Sequence, residues 1–243
     1  MLPVMKKKDV PTLPLAASKL KLARASAHLD ALDELIRQYF STKWCTCTFD
    51  RKDDGRQHLS MGIARVPEEF GPIVGDAVHN MRAALDLAIV ELVETNGGSS
   101  NGVMFPFCED EDSLHEMMKR RNCHRASLKV RERIVQLKPY KGGNERLRAL
   151  HDLDIIDKHH TLIPNCQIAT FPPVSVLTDS TGAPIGFNEG KIEFAVDPDA
   201  KPTMTFAFPE TGPLAGLDVV STLRELHAMV VQIIAQFEDD IRD

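Results

Sequence analysis

Apolar residues recur at helical spacing in three long stretches of the chain. Between residues 15 and 41, Leu22, Leu29, Leu32, Ile36, Tyr39 and Phe40 share one face, and Lys, Arg and Asp fill the others. That pattern predicts an amphipathic helix. A second helix is predicted to start at Pro67-Glu68-Glu69, where acids suit the positive end of the helix dipole, with Pro72 as a second start or a kink. It runs to Thr95-Asn96-Gly97-Gly98, a glycine stop. The third stretch, about 215–241, sets Val220, Leu223, Leu226, Val230, Ile233, Ile234 and Phe237 at core spacing. Residues 110–137 suggest one or two shorter helices. Asn144 follows Gly142-Gly143 and is placed to cap a helix over about 145–160, whose apolar face is Leu147, Leu150, Leu153 and Ile156.

Elsewhere the period drops to two. Two β-rich runs flank Asp54-Gly55, a hairpin signal. Residues 161–208 are rich in Pro, Gly and Thr; KIEFAV aligns Ile192, Phe194 and Val196, and TMTFAF aligns Met204, Phe206 and Phe208. Strands and helices do not alternate as in a parallel α/β sheet. The expected fold is therefore α+β: a helical bundle around a central helix (about 67–95), with a small antiparallel sheet and a C-terminal helix. Residues 1–12 read as a flexible arm and 13–243 as a single domain, strand-rich over 161–210.

Composition refines this picture. The 243 residues are 43% apolar and 26% charged, ordinary globular usage for a chain long enough to bury a core without staples. The five cysteines are scattered and form no CxxC, which argues against a disulfide framework and for a reducing compartment. Cys45-x-Cys47 is half a zinc site at best; buried thiols are the favoured reading. The start, MLPVMKKKDV, carries lysines but no secretory apolar run, and no segment approaches the ~18 apolar residues of a membrane span. The cytoplasm is the expected address, with no membrane partner. Net charge is −6, so no global field attracts nucleic acid. Yet a local basic run, Lys119, Arg120, Arg121, Arg125, Lys129, Arg131 and Arg133, follows an acidic one and is a candidate track for RNA phosphates.

The central helix carries the most suggestive chemistry. Val74, Ala77, Val78, Met81, Leu85, Ala88 and Leu92 form its apolar stripe, and His79, Arg82 and Asp86 lie opposite at i, i+3, i+7. Ala83, Leu87 and Val90 surround Asp86, so the helix is apolar nearly all round and Asp86 is expected to be buried. A buried carboxylate must be paired or protonated. A structural pair with Arg82 or His79 is the favoured reading. The later helix ends in Asp154, Asp157, Lys158, His159 and His160. Cations there complete the dipole and the free carbonyls. The sharper expectation brings Asp157, Lys158 and His159 against His79, Arg82 and Asp86 as one polar pocket.

GDAVHNMRAALDLAIVEL, GVMFPF (102–107), IVQLKPY (134–140) and LHDLDIIDKHHTL occur in that order. Together they resemble a set of bacterial and phage proteins that share a GD-x-x-HN-x-R-x-ALD helix and a later (I/L)DKH segment. The resemblance covers roughly residues 15–165. That set has no established activity, so the resemblance implies shared architecture, with the C-terminal strands and helix outside it.

Three function classes follow. Arg146-x4-His151 has the spacing of the Arg-x(4–6)-His pair that HEPN-type helical bundles use at a dimer interface for metal-free RNA cleavage; His151 would be acid or base and Arg146 would steady the phosphate. Leu147 departs from that motif, which usually has a polar residue there. His79, Asp86, Asp157 and His159 are metal-ligand types for a hydrolase, although Arg82 and Lys158 oppose a cation and no HExxH is present. The favoured class is a non-enzymatic accessory or binding protein, either a phage or mobile-element accessory factor or an oligomeric interaction module, whose polar clusters are structural networks. Candidate partners are RNA and a second copy in a homodimer; no cofactor is expected. No P-loop, Rossmann fingerprint or nucleophile elbow occurs.

Overall fold

The computed structural model describes residues 14–51, 57–159, 165–170, 175–176, 194–195 and 203–242. The expected arm at 1–12, the Asp54-Gly55 turn and most of 171–202 lie outside these. In chain order the elements are α1 (Ala16–Ser41), β1 (Cys45–Arg51), β2 (Gln57–Ile63), α2 (Phe70–Thr95), α3 (Leu114–Arg120), α4 (Leu128–Leu137), α5 (Glu145–His159), β3 (Asn165–Thr170), β4 (Ser175–Val176), β5 (Phe194–Ala195), β6 (Thr203–Ala207) and α6 (Val219–Arg242). The fold is α+β. Its described strands make three antiparallel pairs, β1–β2, β3–β6 and β4–β5. β1 and β2 pair from Cys45 opposite Ile63 to Arg51 opposite Gln57, on either side of the expected turn.

α2 packs against α1, α5 and α6. Every residue of its predicted stripe is buried. It begins at Phe70, three residues later than expected, and Pro72 falls inside its first turn. There the missing N–H has no intrahelical acceptor to lose. At the other end Gly97 adopts φ +78°, and Gly98 N donates to Val93 O at 2.9 Å. This left-handed turn closes the helix.

The other boundaries have local causes. Asn144 Oδ1 accepts from Leu147 N at 3.1 Å, the predicted cap of α5. Residues 110–137 hold two α-helices joined through a 3-10 turn at Cys123–Arg125, and Ser127 Oγ caps the second through Val130 N. α6 starts at Val219 rather than near 215. Leu214 and Gly216 both have positive φ, and Asp218 Oδ1 caps Ser221 N at 2.8 Å. β6 is docked by an aromatic cluster. Phe206 touches Tyr39, Phe40 and Phe70 with ring centroids 5.0–5.6 Å apart. α4 is fixed to α6 by Arg133, which donates to both oxygens of the buried Asp240 carboxylate at 3.0 and 3.1 Å.

Candidate functional site

α2 and α5 run antiparallel, and three rungs join them. At the first, α2 lacks a side chain: a Cβ on Gly75 would collide with the Asp157 carboxylate. At the second, His79 Nδ1 lies 3.0 Å from Asp154 Oδ1. At the third, Arg82 Nε points at His151 Nδ1 across a long 3.4 Å. The two residue numbers at each rung sum to nearly the same value, as antiparallel packing requires. The glycine permits the close approach from which the other two rungs follow.

Asp154 is the buried hub of the second rung. Its side chain is 4% exposed, and Lys158 Nζ, one turn on, contacts Oδ2 at 2.5 Å. A carboxylate so enclosed needs both partners. His79 is the outer member, half exposed, with no partner on its Nε2 among the described residues.

Arg82 is the hub of the third rung. Its Nη1 lies 2.6 Å from Asp86 Oδ1, an ion pair without hydrogen-bond alignment. Its guanidinium carbon stands 4.6 Å from the centroid of the Phe107 ring. His151 stacks on the same ring, 4.4 Å away and nearly parallel. Burial, then the charges of Arg82 and Arg148, push the His151 imidazole down to about 4. It is therefore neutral near pH 7 and accepts from Arg82. Asp86 Oδ1 also accepts from Phe105 N at 2.7 Å. The expected Arg82–Asp86 pair thus forms, but the burial is reversed. Arg82 is enclosed, whereas Asp86 keeps 27% of its side chain at the surface. His79 turns to Asp154 instead of Asp86.

The connecting segment 103–109 is held at both ends. Phe105 N is fixed by Asp86, and Cys108 O accepts from Arg148 Nη1. Arg148 also reaches Glu109 and Asp152 at 2.9 Å. Lys141 and then Arg148 hold the Glu109 carboxyl below its usual range. Cys108 N donates to Pro139 O at 3.2 Å. The four sequence pieces GDAVHNMRAALD, GVMFPF, IVQLKPY and LHDLDIIDKH are therefore neighbours in space, and they meet in this one network.

The six-residue pocket does not assemble as a unit. Asp86 lies eleven residues beyond Gly75, about 16 Å along the helix, while Asp157 sits at Gly75. His159 is exposed at the end of α5. Nor does α5 bring Arg146 to His151: five residues turn the helix by about 140°. Arg146 pairs with Glu225 of α6, while His151 faces α2. Among the described residues no group of three or more His, Cys, Asp or Glu is placed to hold a metal ion, so His79, Asp86, Asp157 and His159 do not converge on one. Asp154 was the missed member. Its signal was its spacing: His151, Asp154 and Lys158 continue the α5 face that carries Leu147 and Leu150.

The basic run is dispersed. Arg133 binds Asp240, with Lys129 4.0 Å from the same carboxylate. Arg125 donates to Ser99 O, and Arg121 contacts the Met104 sulfur. Lys119 is 3.7 Å from Glu116 on the surface. Arg120 is exposed, and Arg131 lines a groove between α3 and α4. No helix among the described residues is long and apolar enough to cross a membrane. No family model, curated protein or solved structure matches the chain.

Proposed function

We propose that this chain is a binding or accessory protein and that the α2–α5 network is its internal fastener. One observation carries this reading: Arg82 and Asp154, the two charged groups at the centre of the network, are almost fully enclosed and find their partners within the chain. Buried charges so arranged fix the mutual register of the elements they join. The test is incubation of the purified protein with labelled RNA, with and without chelator. The binding reading expects intact RNA in both. Cleavage that survives chelator and is lost in Arg146→Ala or His151→Ala would replace it with a HEPN-like reading.

One feature favours a second reading, acid–base catalysis at His79. A buried carboxylate holds Nδ1 of a half-exposed imidazole and leaves Nε2 toward solvent. A general base oriented by an acid has this form. On RNA, Nε2 would take the proton of a ribose 2′-hydroxyl as its oxygen attacks the adjacent phosphorus; the P–O5′ bond breaks, a 2′,3′-cyclic phosphate forms, and the departing 5′-oxygen takes a proton from water. Loss of cleavage in His79→Ala, with Arg146→Ala and His151→Ala still active, would select this reading over the HEPN-like one.

A further inference from the structure

The α3–α4 groove has a cavity of about 520 Å³. That lies within the range of small-molecule sites. Its apolar surface comes from Met118, Leu128 and Val135. Leu128 is 62% exposed, a large apolar side chain with no cover among the described residues. Cations stand around it: Lys119 and Arg131 line the groove, with the single acid Glu132. Arg131 is the telling member. Its Nε is buried and has no acceptor. Its neighbours on α4, Lys129 and Arg133, turn to Asp240, so that carboxylate already faces two cations. Buried donors are nearly always satisfied, so Arg131, a residue that lines the groove, is short of one acceptor. Lys119 is engaged only in an exposed pair with Glu116, of the kind that contributes little and exchanges readily.

We propose that this groove binds a small amphipathic carboxylate, its apolar part on Met118, Leu128 and Val135 and its carboxylate on the Arg131 guanidinium and Lys119. The inference rests on the binding reading above and names its ligand class. Apolar area and a lone pair of cations suit such a molecule better than RNA. A nucleic acid needs a continuous phosphate track, and Arg121, Arg125 and Arg133 are engaged within the chain.

The test is calorimetric titration of the full chain with octanoate, 1-octanol and acetate. Octanoate should bind one to one. Octanol should bind at least about tenfold more weakly, since each lost charge-assisted hydrogen bond is of that order. Acetate should not bind detectably. Arg131→Gln should weaken octanoate by a similar factor. Leu128→Asp should abolish binding while leaving Tm unchanged, because Leu128 is exposed. Equal binding of octanol and octanoate overturns the proposal, as does octanoate binding that Leu128→Asp leaves intact. Absence of octanoate binding overturns it too, including the case where an oligoribonucleotide or an acidic amphipathic peptide binds the groove instead. Those outcomes leave the binding reading standing, because that reading fails only by RNA cleavage.

Discussion

Arg82 Nη1 stands 2.6 Å from Asp86 Oδ1, and the guanidinium rather than the carboxylate is the enclosed partner. Removing Asp86 therefore strands a buried cation and also the Phe105 N–H that shares Oδ1. Breaking a fully buried pair costs roughly 3–5 kcal/mol. Because Asp86 is partly exposed, Asp86→Ala should destabilise by about 1–3 kcal/mol. Urea denaturation measures this. A variant with wild-type stability would show that water or another group takes over the role of Asp86.

The reversal of burial shows what the sequence could carry. Spacing within one helix was legible: the α2 stripe, the Asn144 cap and the i,i+4 Arg82–Asp86 pair all depend on residues a turn apart. Contacts between elements were not. His79 meets Asp154 because Gly75 sets the α2–α5 register, and no periodicity reports that register. The apolar surroundings of Asp86 suggested a buried acid. Instead the segment around Phe105 and Phe107 covers the Arg82 end and brings a backbone N–H to the carboxylate edge. Arg146 and His151 have the right separation in sequence, but the helix turns them to different neighbours.

The His151 imidazole gives the fold a pH dependence. Its folded value is pushed from 6.5 to about 4 by burial and by the neighbouring guanidinium groups. The unfolded chain therefore binds more protons between those values, and stability falls as pH drops from about 6.5 towards 4. The full shift corresponds to about 3 kcal/mol; partial solvent access reduces the expected loss to about 1–2 kcal/mol. His151→Phe keeps an aromatic ring against Phe107 and removes the titration. Its unfolding free energy should fall less steeply than wild type between pH 7 and 4.5. Parallel slopes would show that His151 does not control this window.

Gly75 sets the distance between α2 and α5. A Cβ there meets the Asp157 carboxylate, its Cγ included, so that side chain must shift. Gly75→Ala should destabilise by about 1–3 kcal/mol, despite the better intrinsic helix propensity of alanine. Asp157→Ala in the same chain should recover part of that loss. Thermal unfolding of the two single variants and the double variant tests the coupling. Strict additivity would mean that the two positions do not touch.

Cys123 reports on the Asp86 region of α2 without perturbing it. Its thiol is fully buried, donates to Met104 O at 3.0 Å and is pushed up to about 12, first by burial and then by the Asp86 charge. Burial also raises the Cys108 thiol. The thiolate is the reactive form, so both should resist iodoacetamide at pH 8 in the native protein. Cys45, only partly buried, should alkylate before either of them. Mass spectrometry of peptides after timed labelling gives the order. In Asp86→Ala, the loosened 103–107 segment should expose Cys123 to labelling before global unfolding. Protection of Cys123 equal to wild type in that variant would show that the segment is held without Asp86.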